Sequence, residues 1–295
     1  MPVIRWMCCI VFWGCGSVGS SSDAALIDDA LADAAGLGAW TTAQLVSLSG
    51  WTTSINSPSM TADRLELYFV GDPSVTNDHL YVTKRASASD PWGAPALDAE
   101  LSSSAIDRYP AVADDGLTLW LASNRTGTLG GLDIWVSTRA SRSQPWTTPV
   151  NVAELNSTAE DAPGRITSDG LTMSFQSNRA GTAGGWDLYV ASRTSISATW
   201  TQVRQLYELD TTANDERCWL SDGGLTSFFD SNRSGTYKIY TVSRTAASAT
   251  FGAPATVGEF DSTAGESAIW LTPDLHHAVY TSARSGAIEL YESSR

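Results

Sequence analysis

Four acidic residues recur along the chain: Asp107, Asp161, Asp215 and Glu266, spaced 54, 54 and 51 residues apart. Carboxylates repeated around a symmetric scaffold have two chemistries open to them. They can converge on a hard cation such as Ca²⁺, which takes several oxygen ligands, or each can pair with a cation of its own. The spacing favours pairing. Each acid stands 18 residues before an arginine, namely Arg125, Arg179, Arg233 and Arg284. The midpoints, residues 116, 170, 224 and 275, fall in turns. Acid and base therefore face each other across a hairpin, where opposite charges stabilise modestly. A first, eroded copy has Ile55 and Pro73 at these positions and lacks both partners. Four ion pairs, and no bound metal, are the expectation.

The arginines belong to a longer repeat. Ser-Asn-Arg occurs at residues 123–125, 177–179 and 231–233, with Ser282-Ala283-Arg284 as a variant and Gly71-Asp72-Pro73 as the eroded copy. An aromatic strand follows each: Leu80-Tyr81, Ile134-Trp135, Leu188-Tyr189, Ile239-Tyr240 and Leu290-Tyr291. Four residues beyond each of these aromatics stands Arg85, Arg139, Arg193, Arg244 or Arg295. An aromatic-led segment then begins at Trp92, Trp146, Trp200 or Phe251. In the second unit the strand-like runs are residues 109–113, 117–122, 133–139 and 147–155. Four short strands per unit of about 50 residues are the signature of a propeller blade.

The ends fix the blade number. The last unit stops at Arg295 after three strands, while Trp40-Thr41-Thr42 at the front matches Trp146-Thr147-Thr148. The predicted fold is all-β: a five-bladed β-propeller of four-stranded blades over residues 40–295, closed by an N-terminal strand at 40–48. Closure removes edges that would otherwise pair with other chains.

The Asp-Gly-Leu-Thr run, the Ser-Asn-Arg-x-Gly run, and Asp-Ile-Trp or Asp-Leu-Tyr resemble the WD-repeat-like propeller repeat of the TolB kind. With Gly130-Gly131-Leu132-Asp133 and Gly184-Gly185-Trp186-Asp187, the pattern is similar to copies in bacterial envelope proteins. The resemblance implies the fold and an envelope location.

The N-terminus agrees with export. Arg5 precedes an apolar run at residues 6–14, too short to span a bilayer, which ends in Gly14-Cys15. That ending resembles the lipobox of bacterial lipoproteins, which implies lipid on Cys15, a signal over residues 1–15 and a Gly/Ser/Ala/Asp-rich tether over 16–39. Cys218 lies in an apolar strand and reads as a buried small hydrophobe.

Catalysis finds little support. There are three histidines, His79, His276 and His277, with no Gly-x-Ser-x-Gly elbow around any serine. The adjacent pair points to opposite faces of a strand, at a surface or rim. Glycosidases on five-bladed propellers need two opposed carboxylates, whereas these acids repeat blade by blade. The net charge of −14 excludes nucleic acid and electrostatic docking on anionic lipid. The recurring aromatics are expected between blades. The unrepeated Trp51, Trp186 and Trp219, and the loop glycines Gly130, Gly131, Gly184 and Gly185, are the candidate contacts for a ligand or partner. The expected function is a non-catalytic, monomeric binding or scaffold module. It is held to the envelope by lipid alone and engages a protein or glycan without a cofactor. The alternative is a glycoside-processing enzyme.

Overall fold

The computed structural model describes residues 37–71, 78–181 and 183–295. Cys15, the signal, most of the tether and Pro73 lie outside the described residues. Every regular element among those described is a strand. The chain enters through β1 (Gln44–Leu45). Blade one follows as β2 (Ile55–Met60), β3 (Glu66–Gly71), β4 (His79–Lys84) and β5 (Ala96–Leu97). Blade two is β6 (Asp107–Val112), β7 (Thr118–Ser123), β8 (Asp133–Thr138) and β9 (Val150–Asn151). Blade three is β10 (Asp161–Ile166), β11 (Thr172–Ser177), β12 (Asp187–Ser192) and β13 (Thr201–Gln205). Blade four is β14 (Asp215–Leu220), β15 (Thr226–Ser231), β16 (Lys238–Ser243) and β17 (Ala255–Thr256). Blade five is β18 (Glu266–Leu271), β19 (His277–Ser282) and β20 (Glu289–Ser294), completed by β1 in the order β1-β20-β19-β18.

The N-terminal strand closes the ring. Gln44 lies opposite Glu292 and Leu45 opposite Tyr291. Thr41 N donates to Ser294 O at 2.8 Å, and Val46 N to Leu290 O at 2.9 Å. The fourth strands are shorter than the aromatic-led segments suggested. In blades one, two and four, Pro95, Pro149 and Pro254 stand just before a two-residue strand. Proline has no N–H to give the ladder. Blade three has Val203 there and its outer strand runs five residues, whereas blade five has Ala43 and a strand of two, so proline accounts for three of the four short strands.

The arginine that follows each aromatic strand explains the constancy of the repeat. Nε of Arg85, Arg139, Arg193, Arg244 and Arg295 donates to the carbonyl of Arg64, Gly116, Gly170, Gly224 and Leu275 in the turn between the first two strands. The guanidinium then lies over the aromatic that leads into the fourth strand. The distances are 4.0 Å to Trp92, 4.3 Å to Trp146, 4.4 Å to Trp200, 4.3 Å to Phe251 and 4.2 Å to Trp40. Each such contact contributes about 0.5–2 kcal/mol depending on burial. Trp40 thus does for blade five what Trp146 does for blade two. The turn itself needs a left-handed residue, and glycine fills it in the three middle blades, with Gly116 at φ 73°.

Blades join through the same aromatics. Trp146 N donates to Glu100 Oε2 of the preceding blade at 2.6 Å, and Trp200 N to Glu154 Oε1 at 3.3 Å. Leu101, Leu155, Leu209 and Phe260 end the segments as fully buried side chains, each contributing roughly 2 kcal/mol. Cys218 is also buried in the core, and burial pushes its thiol up to about 11. One expectation needs correcting. His276 is exposed, but His277 is buried and hydrogen-bonded to Ser294 Oγ at 3.0 Å, because it heads β19 beneath the last strand.

Candidate functional site

Register decides which residues share a face. Asp107 stands opposite Ser123, and Ser123 opposite Asp133. The starts of the first and third strands therefore meet the end of the second at one edge. The loops joining second to third strands, and each blade to the next, open on that side. It is the loop face.

At this edge the structure brings each repeated acid to its arginine. Arg125 Nη2 lies 2.6 Å from Asp107 Oδ1, and Arg179 Nη2 lies 2.6 Å from Asp161 Oδ1. Arg233 pairs with Asp215, and Arg284 reaches Glu266 Oε1 at 3.3 Å. The same arginine atom donates to the carbonyl of Leu101, Leu155, Leu209 or Phe260 in the linker from the preceding blade. The other oxygen of Asp107 accepts the N–H and hydroxyl of Ser103, and Asp161 does the same with Ser157. The three aspartates are fully buried. Each pair fastens a blade-to-blade linker to its own hairpin.

Blade one solves the problem without charge. In blades three to five the guanidinium lies over two aromatics: Arg179 is 5.3 Å from Phe175 and 4.9 Å from Tyr189, and Arg284 is 4.7 Å from Tyr291. In blade one the Trp51 ring takes that place, 5.1 Å from Phe69 and 4.7 Å from Tyr81. Trp51 is therefore a packing residue here, not the exposed contact its singularity suggested. Trp219 is likewise buried in β14, with Nε1 donating to Leu271 O at 3.1 Å. Gly130 and Gly184 meet the backbone of the next linker: a Cβ would sit 2.2 Å from Ala159 O and 2.2 Å from Ala213 O respectively. Gly131 and Gly185 crowd Glu160 and Asn214. These glycines let the loops dock on the following blade. Trp186 remains half-exposed, its ring 6.4 Å from that of Tyr109.

The channel wall is formed by β2, β6, β10, β14 and β18, and each contains a bulge. Ser57, Tyr109, Arg217 and Ala268 occupy the same bulge position with positive φ. In blade three that position is Pro163, which cannot take positive φ, and the register break shifts to lie between Pro163 and Ile166. The bulges leave a cavity of about 50 Å³ lined by Tyr109, Pro163, Arg165, Arg217 and Trp219, among others.

Two arginines organise this channel, and each occurs in one blade only. Arg217 Nη1 lies 2.7 Å from Asp230 Oδ2 and 3.2 Å from Glu216 Oε2. Asp230 Oδ1 also accepts the bulge N–H of Ala268 at 3.2 Å. Glu216 accepts from the Tyr237 hydroxyl. Burial, reinforced by Glu216, pushes Asp230 up to about 7 despite Arg217, while the two carboxylates hold Arg217 firmly protonated. At the turn side, Arg165 donates to Asp222 Oδ1 at 2.7 Å and Leu220 O at 2.8 Å, and lies 3.4 Å from Asp114 Oδ2. Ser168 bridges Asp222 and Asp114. Burial raises Asp114, whereas Arg165 and Ser168 outweigh burial at Asp222 and lower it. A reading based on repeats passes over all of these residues. Arg165 and Arg217 are marked in the sequence as charged residues at inner-strand positions where the other blades have none.

No family model and no curated protein matches the chain. Solved structures do resemble it. Endo-arabinase from Bacteroides thetaiotaomicron aligns with a TM-score of 0.61 at 16% identity, over 86% of this chain and 97% of that one. The chain has the fold of a five-bladed β-propeller. The α-L-arabinofuranosidase PaAbf62A from Podospora anserina gives 0.55 at 13% identity, covering 88% and 96%. TolB from Acinetobacter baumannii gives 0.51 at 16% identity, over 82% of this chain and 54% of that one, so the chain spans about half its length. At such identities the likeness is one of fold alone. It includes the TolB propeller that the repeat motifs resemble.

Proposed function

We propose that this protein is a non-catalytic binding or scaffold module, monomeric and anchored to the bacterial envelope through Cys15. Its loop face engages a protein or glycan. One observation supports this: among the described residues, the four acids of the two channel clusters each have a partner. Asp230 and Glu216 are taken by Arg217, and Asp114 and Asp222 by Arg165 and Ser168. Acid–base cleavage of a glycosidic bond needs two opposed carboxylates free to give and take protons. A partner would meet Trp186 and Tyr109, whose rings lie 6.4 Å apart, on the face where the loop of blade two also exposes Leu129. Such aromatics supply contact area for either a sugar face or a protein side chain.

The second reading, a glycoside-processing enzyme, rests on Asp230, the channel carboxyl pushed up to about 7 and neighboured by Glu216. Two experiments test the first reading. Capture of envelope extract on the immobilised protein should retain a partner that Trp186→Ala releases; equal retention by the variant would sink the proposed surface. Cys15→Ser should move the protein from the membrane to the soluble fraction, and a variant that stays membrane-bound would refute the anchor.

A further inference from the structure

The outer strand of blade three is the long edge of the ring. β13 runs five residues, where the outer strands of the other blades run two. It is the last strand of its sheet, so one side of it meets no neighbour. The ladder fixes which groups face that side. Leu206 N donates inward to Leu188 O at 2.8 Å. Antiparallel pairing alternates, so Arg204 also bonds inward, while the N–H and C=O of Val203 and Gln205 point out. The bulge at Gln202, with φ 50°, lies before this stretch, and Arg204 and Gln205 keep consecutive register with Val190 and Tyr189.

The other blades show how this position is guarded. Asp98 N donates to Leu80 O, Val152 N to Ile134 O and Val257 N to Ile239 O, in the place of Leu206 and Leu188. Three residues before these donors stand Pro95, Pro149 and Pro254, where blade three has Val203. The outward-facing group in those blades is a proline nitrogen, which has no hydrogen to offer a further strand. In blade five the residue is Ala43, partly buried against the core, on a strand of two residues. Val203 keeps its N–H on the longest edge, and its side chain is exposed.

The surroundings favour one kind of strand. A groove of about 630 Å³ runs alongside, between blades three and four, lined by Val190, Val203, Arg204, Leu220 and Ala247. Tyr207 stands exposed just past the strand. Arg204 is exposed, with Glu208 at 3.6 Å, and burial followed by the charge of Arg204 lowers the basicity of Arg244. Asp222, also at the groove, is taken by Arg165. Two guanidiniums against Glu208 leave a local excess of positive charge. We propose that the outer edge of blade three binds an extended segment of a protein partner by strand addition. The segment pairs through its backbone with Val203 and Gln205, sets an apolar side chain in the groove and places a carboxylate beside Arg204. Backbone pairing supplies the affinity in this mode, and the alternating side chains supply the choice of partner. The surface does not use Trp186, so it stands whether or not the loop-face reading holds.

The test uses a capped peptide, Thr-Val-Glu-Val-Thr-Val-Ser, in which apolar and acidic residues alternate as Val203 and Arg204 do. Its copy with lysine for glutamate is the control, and salt of about 0.15 M screens the net charge. Hydrogen exchange over residues 201–206 should slow on adding the glutamate peptide, in the wild type and in Trp186→Ala alike. A copy N-methylated at alternate residues keeps the side chains but cannot pair, and should bind more weakly by roughly tenfold or more. The wild type should prefer glutamate to lysine by about fivefold, and Arg204→Glu, an exposed change, should reverse the preference. Unchanged exchange with the peptide, equal binding of the N-methylated copy, or a preference indifferent to Arg204→Glu would overturn the proposal. Protection of residues 201–206 that grows with protein concentration in the absence of peptide would overturn it too, by giving the edge to a second copy of the chain.

Discussion

The indole of Trp51 covers Gly71 so closely that a Cβ there would sit 2.4 Å from its Cζ2. The other four blades carry serine at this strand end, together with the buried ion pair. Blade one replaces acid, arginine and serine with Ile55, Trp51 and Gly71. Apolar replacement of a buried ion pair is often neutral or stabilising, because neither charge need be desolvated.

This exchange predicts coupling. Gly71→Ser alone should cost about 1–3 kcal/mol by overpacking, and Trp51→Ala alone about 3 kcal/mol by leaving a cavity. The double variant should cost clearly less than their sum in urea unfolding, since the serine then has room. Additive costs would mean that the two residues do not share the site.

The ion pairs predict the opposite chemistry. Asp161→Ala leaves Arg179 without its partner and should cost about 3 kcal/mol. Removing Arg179 as well should cost little more. A double-mutant cycle reads this as a coupling of about 1–3 kcal/mol, and a coupling near zero would contradict a pair that acts as one unit.

Ring closure rests on Trp40 and the strand after it. Protein lacking residues 1–36 should melt as the full chain does. Protein lacking residues 1–49 should aggregate or lose cooperative unfolding, because β20 then exposes an unpaired edge and Arg295 loses the Trp40 ring. Cooperative melting of the longer deletion near the full-length temperature would refute the closure.

Asp230 gives the stability a pH dependence. Burial pushes its carboxyl up to about 7, well above the ordinary aspartate range, so the fold favours the protonated acid. That contribution is full below the unfolded value and fades as pH rises through 7. The titratable groups facing Asp230 are Arg217, Glu216, Tyr109 and Tyr237. Stability should rise on going from pH 8 to pH 5 by on the order of 2 kcal/mol more in the wild type than in Asp230→Asn. Equal slopes in chemical denaturation would contradict the shift.

The fold could be read from the sequence because each blade repeats the same local devices. The turn glycine, the arginine that grips it and the aromatic beneath that arginine recur at fixed offsets, and Trp40 shows where the missing fifth aromatic lies. The channel was hidden for the converse reason. Arg217, Asp230 and Arg165 each appear in a single blade, so no repeat announces them. Unrepeated tryptophans misled in the same way. Trp51 is single because its blade lost the ion pair. Trp219 and Trp270 share one offset on the inner strands, which marks them as wall residues. Gly130 and Gly184 were legible as loop glycines, but their close approach to the next blade depends on backbone placement that sequence does not display.

Product analysis decides whether the protein binds through its loop face without cleaving a glycan in its channel. The purified protein should be incubated with arabinan, arabinoxylan and a panel of chromogenic glycosides from pH 5 to pH 8, and the products resolved by chromatography. No product above the buffer control is expected at any pH. Product that accumulates with the wild type and disappears with Glu216→Gln or Asp230→Asn, both still folded, would contradict it and establish the channel as an active site.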